Sequence, residues 1–125
     1  MAKRDLDRMR EILLHVESGE NPSGWFEARG DSFFVDADEY QIALLEQAGF
    51  LETDFGTLGS AIPDDVRITF PGHDYLDAIR SESVWQETKD AVAETGGNAT
   101  LEILKALAVG LLKKKISHHT GIEIG

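Results

Sequence analysis

Apolar positions recur along this chain at two spacings, three-to-four and two, and the changes between them mark its elements. Leu6, Met9, Leu13 and Val16 form one stripe at helical spacing, which predicts a first helix over Asp5–Glu17. Asp5 and Asp7 sit near its start, where the helix dipole favours negative charge. The turn-forming run SGENPSG ends it. Trp25–Ala28 and Ser32–Val35 are rich in Trp, Phe and Val and read as short extended segments joined by a turn at ARGD. Asp36 is the expected N-cap of the next helix, with Glu39 three positions on as in a capping box. That helix spans Ala37–Ala48, with Ile42, Leu45 and Ala48 as its buried stripe and Leu44 beside it. Gly49 then supplies the left-handed residue that closes a helix.

Phe50 and Leu51 open a strand, and the irregular run Phe55–Asp65 leads to a second. There Val66, Ile68 and Phe70 alternate with polar residues, placing all three on one face of a half-buried strand. Pro71 suits the first turn of a helix whose apolar face is Tyr75, Leu76 and Ile79. Ser81 or Ser83 caps a further helix, with Val84, Trp85, Thr88 and Val92 at helical spacing. Asn98 or Thr100 caps the last, which runs to about Ile116. Leu101, Leu104, Leu107, Ala108, Leu111 and Leu112 give it a broad apolar face that Ile103 and Val109 widen. A face of that width fits burial against two surfaces: two sides of one domain, or one side and a second subunit. The tail SHHTGIEIG reads as weakly ordered or as an extended edge segment.

In this order the elements predict an α+β fold. Residues 1–80 form a winged-helix-like unit with a small β-hairpin wing and a shortened second helix. Residues 81–125 form a two-helix C-terminal extension packed on the same core. Between Trp25 and Asp36 there is barely room for the positioning helix of a complete helix-turn-helix.

Composition adds a conflict. The chain has 125 residues and a net charge of −11, from 12 basic and 23 acidic side chains. Between Arg29 and Arg67 lie nine Asp or Glu and no Lys or Arg. The basic residues gather towards the ends, in Lys3–Arg10 and Lys113–Lys115. A winged helix conventionally meets DNA, and this charge repels phosphate. Cysteine is absent, which excludes disulfides, thiol nucleophiles and Cys-ligated zinc. No signal peptide or membrane-spanning run is visible, so a cytoplasmic location is expected.

The segments KRDLDRMREILLHVE, YQIALLEQAGFLE, VRITFPGHDYLDAIRSESVWQETK and LEILKALAVGLLKKK resemble a bacterial and phage domain-of-unknown-function family with a winged-helix-like fold. Together they cover well over half of the chain, and ITFPGHDYLDAIR followed by VWQETK is the most specific. The resemblance implies a fold and a phage or prophage setting. It implies no reaction and no catalytic residue.

The expected function is that of a non-enzymatic regulatory module acting by macromolecular binding, with two classes of partner. For DNA, Gln41 and Gln47 on the recognition-like helix are the candidate base contacts, with Tyr40 beside them. Lys3, Arg4 and Arg67, together with Arg8 and Arg10, are the candidate phosphate contacts. For a basic host protein, the candidates are Asp36, Asp38 and Glu39. Self-association as a homodimer through the last helix would use Leu104 and Leu111. His73, His118 and His119 lack the spacing of a metal site. No nucleophile elbow or phosphate-cradling glycine pattern is present, and no cofactor is expected.

Overall fold

The computed structural model describes residues 3–56, 60–94 and 100–120, with side chains as far as 117. The chain is α+β and falls into two compact units, Met1–His73 and Asp74–Gly125.

In the first unit, α1 (Leu6–Glu17) starts at Asp5, whose extended backbone and side chain cap the helix by accepting the Arg8 N–H at 3.0 Å. Met9, Ile12, Leu13 and Val16 are its buried face. The strands β1 (Phe26–Glu27), β2 (Leu51–Asp54) and β3 (Asp65–Ile68) form an antiparallel sheet in the order β1-β3-β2. Phe26 and Thr53 flank Val66 in the central strand, and Leu51 pairs with Ile68. Val66, Ile68 and Leu51 are buried. The helix α1 packs on β3 and on α2 (Asp38–Gln47), and α2 packs on β2.

The exit from α2 is a Schellman turn. Phe50 N–H reaches back to the Leu45 carbonyl at 2.9 Å and Gly49 N–H to that of Glu46 at 2.9 Å. Gly49 takes φ +82, as its place after the helix predicts. Leu45 and Phe50, the two positions that commonly carry apolar side chains in this motif, are both buried.

Three local expectations give way. The alternation Val66, Ile68, Phe70 stops at Ile68, because Thr69 caps α3 (Phe70–Ile79): its hydroxyl accepts the Gly72 N–H at 3.1 Å and its carbonyl accepts from His73. Phe70 is instead 82% exposed in the first helical turn, with Pro71 beside it. Ser32–Val35 is a run of turns rather than a strand. Asp31 draws it into an Asx turn by accepting the Phe33 N–H at 2.8 Å, and Phe34 N–H returns to the Asp31 carbonyl. Asp36 does not cap α2 through its side chain; the helix begins after Ala37 without a side-chain cap.

The second unit holds the rest of α3 with α4 (Glu82–Glu94) and α5 (Leu101–Thr120). Tyr75, Leu76, Ala78 and Ile79 are buried, as are Val84, Trp85, Thr88 and Val92. Thr88 returns its hydroxyl to the Val84 carbonyl at 2.7 Å, so its polar atom is satisfied inside. The helices α4 and α5 pack together, and Lys115–Glu87 at 3.5 Å and Lys105–Asp74 at 3.8 Å tie α5 to its neighbours. Thr100 caps α5 through the Ile103 N–H at 3.2 Å. The helix continues through Thr120, so the start of the predicted tail is helical. Asn98 as a cap, residues 57–59 of the irregular run between the two strands and the rest of the tail lie outside the described residues.

Candidate functional site

The segment that holds the largest group of sequence-expected site residues is α2 with the turns before it. Its inward side is polar as well as apolar: Asp38, Gln41, Ile42 and Leu45 are the buried residues. These are positions i, i+3, i+4 and i+7, one helical face.

Asp38 is 2% exposed and meets Arg8 from α1. Arg8 donates Nε to Oδ1 and Nη2 to Oδ2, both at 2.8 Å, in the parallel fork that suits guanidinium and carboxylate. The same Nη2 donates to the Phe33 carbonyl at 2.8 Å, and the Val35 N–H donates to Asp38 Oδ2 at 3.0 Å. Burial alone would push the Asp38 carboxyl up. The Arg8 and Val35 hydrogen bonds, with the Arg8 charge, outweigh burial and hold it below its ordinary range. The hydrogen bond to Asp38 in turn raises Arg8 further above its ordinary value, against the effect of burial.

The Phe33 ring is gripped from the same side of α1. The Arg8 guanidinium lies 4.1 Å from its centroid, and the His15 ring stacks on it at 4.0 Å. Arg8 and His15 are seven residues apart, two turns along one helix face. His15 also meets Phe26 and Phe34 edge-on, and its Nε2 lies 3.2 Å from both Asp31 oxygens. The Phe33 N–H holds the Asp31 carboxyl below its ordinary range against the opposing effect of burial, with a lesser contribution from His15. Two residues of α1 thereby fix the turns that precede α2.

Gln41 makes a second tie. It accepts the Asp5 N–H at 2.9 Å and donates to the Lys3 carbonyl at 2.8 Å. Its amide is spent on the backbone before α1 and does not face outwards. Asp38 likewise faces Arg8 and not a partner. Among the residues expected to bind nucleic acid, Lys3 and Gln47 are exposed and Arg4 is half-buried. Arg67 forks onto Glu52 at 2.9 and 3.1 Å and stacks 4.6 Å from the Trp25 ring. That stack borders a cleft of about 290 Å³ lined by Val16, Asn21, Ser23 and His73.

The outward side of α2 presents Glu39, Tyr40, Glu46 and Gln47, with Val35 and Asp36 just before it. Val35 is 52% and Tyr40 40% exposed. Spacing carried that signal for Tyr40, which falls opposite Ile42 and Leu45. Val35 escaped notice because a strand there would have buried it.

On α5, Leu104 is fully buried and Leu111 half-buried, while Ile103 and Ile116 are exposed. Among the described residues, no three acidic or His side chains converge to hold a metal ion, and no helix is long and apolar enough to cross a membrane.

A similar protein is an uncharacterized protein of Haemophilus influenzae (strain ATCC 51907 / DSM 11121 / KW20 / Rd). It is 28% identical over 117 residues, covering 92% of this chain and 99% of that protein. No solved structure matches the chain at a significant level. The model of the family described as "Hypothetical protein (DUF2513)" matches residues 3–98. The chain therefore belongs to the DUF2513 family, a domain of unknown function.

Proposed function

We propose that this protein is a non-enzymatic, winged-helix-like module of phage or prophage type, and that it binds a basic protein surface through the outward face of α2. The winged-helix reading is supported by element order. After α1 come a first strand, the recognition-like helix and a hairpin, with the first strand against the last. Turns held by Arg8 and His15 replace the missing helix.

The observation that carries the choice of partner is the split between the two sides of α2. Gln41, one of the two glutamines expected to read bases, is buried in a structural clamp, which leaves only Gln47 of the pair exposed. Asp36, Glu39 and Glu46 stay exposed beside Val35 and Tyr40. Carboxylates there repel phosphate, whereas an apolar centre within an acidic rim suits a basic partner. The test is chemical cross-linking from Tyr40→benzoylphenylalanine in host cells, with Asp36→Lys/Glu39→Lys as control. One defined basic protein, lost in the control, is expected; the same products from both proteins would sink the reading.

Element order also favours a second reading, a DNA-binding regulator using Lys3, Arg4 and Gln47. Titration of mixed-sequence duplex DNA at low and high salt decides it. Binding that weakens steeply with salt and is lost in Lys3→Ala/Arg4→Ala supports this reading, and no binding at low salt excludes it.

A further inference from the structure

Gly110 lies in the interior of the 20-residue helix α5, where only proline is a worse helix former. It does not take a positive φ, and a Cβ built on it meets nothing within 4 Å. Neither backbone conformation nor packing within the described structure requires glycine there.

Gly110 belongs to a line of exposed positions. Ile103, Ala106, Gly110 and Lys113 follow one another at spacings of three, four and three, on the side of α5 away from the buried Leu101, Leu104 and Ala108. Ile103 is 51% exposed. The flanks are charged with opposite sign at the two ends: Glu102 near the start, Lys113 and Lys114 near the finish. None of these three makes an ion pair among the described residues.

We propose that this face binds a second copy of the chain, with the two α5 helices antiparallel about a two-fold axis level with Ala108. Ala106 of each copy then sits over Gly110 of the other, and the absent side chain lets the backbones approach closely. Glu102 of each copy faces Lys113 of the other, eleven residues on and so on the same flank of the helix, and Ile103 lies along the apolar stem of Lys114. Each contact occurs twice by symmetry. A parallel pairing would oppose like charges along the whole seam. The second copy is the occupant because the charge pattern is complementary to its own reverse. The seam differs from the one expected through Leu104, which is buried, and it is independent of the α2 face.

Sedimentation of the full chain over a range of concentrations at low salt tests the proposal, with circular dichroism to check folding. A reversible monomer–dimer equilibrium is expected. Glu102→Lys turns two attractions into two repulsions and should weaken it by about tenfold or more. Glu102→Lys/Lys113→Glu should restore it. Gly110→Leu should keep or raise helix content while abolishing the dimer. A wild-type chain that stays monomeric overturns the proposal. So does a Glu102→Lys dimer of unchanged strength, or a double variant no tighter than the single.

Discussion

Arg8 and Asp38 meet through two parallel hydrogen bonds of 2.8 Å, joining α1 to the first turn of α2. The carboxylate is buried and the guanidinium is not wholly so, with side-chain exposures of 3% and 23%. Removing the two partners should therefore have unequal effects. Arg8→Ala strands a buried charge and should destabilise the first unit by about 3 kcal/mol. Asp38→Asn keeps the shape, leaves Arg8 access to water and should cost roughly half as much. Urea denaturation of the two variants gives the comparison, and equal losses would contradict the asymmetry.

Acid should act through the same contacts. Asp38 and Asp31 are held below their ordinary carboxyl range in the folded chain. The stability they contribute is present above the unfolded value of about 4 and is lost as pH falls through the folded values. The denaturation midpoint should drop as pH is lowered below about 4. Asp31→Asn/Asp38→Asn should start lower at neutral pH and fall less steeply in acid.

Gly72 is required by a close approach. A Cβ there would lie 2.2 Å from the Phe50 carbonyl oxygen and 2.9 Å from the Ile68 side chain. That carbonyl also accepts the Thr69 N–H at 3.1 Å, and Thr69 Oγ1 donates to the Gly49 carbonyl. The corner between β3 and α3 is thus laced to the end of α2. Gly72→Ala should cost about 1–3 kcal/mol through overpacking, although alanine is the better helix former. Thermal unfolding reads the change, and a raised midpoint would show that the corner yields freely.

Tyr40 and Val35 should separate binding from folding. Both are exposed on the outward side of α2 or just before it. Tyr40→Ala and Val35→Ser should change stability by no more than about 0.5 kcal/mol. Under the partner reading, the same variants should release the basic protein captured at Tyr40. A purified partner titrated against each variant measures the loss.

Much of this was legible in the sequence where periodicity met a strong terminator. Val84, Trp85, Thr88 and Val92 needed only their spacing, and Gly49 only its place after a helix. Phe70 misled because alternation continues on paper through a residue that belongs to a helix. The Thr69 hydroxyl ends the strand, and a threonine in a β-rich run gives no sign of that role. Asp38 and Gln41 misled for another reason. Their side chains suggest solvent, yet their positions repeat the stripe of Ile42 and Leu45. Spacing was the truer guide, but the compensating groups lie 30 to 38 residues away, in Arg8 and in the backbone at Lys3 and Asp5. The aromatic turns at Phe33–Phe34 read as a strand because their ring partner, His15, lies in another element, earlier in the chain.

Each of the two units carries one of the chain's two tryptophans. Trp25 is half-buried under a guanidinium at 4.6 Å, and Trp85 is 2% exposed. Their emission should therefore differ in colour, longer in wavelength for Trp25 and shorter for Trp85. A chain keeping only one of them, with phenylalanine at the other site, becomes an optical gauge of a single unit. Such a pair would reveal whether the units melt in one cooperative step or in succession, without any added dye.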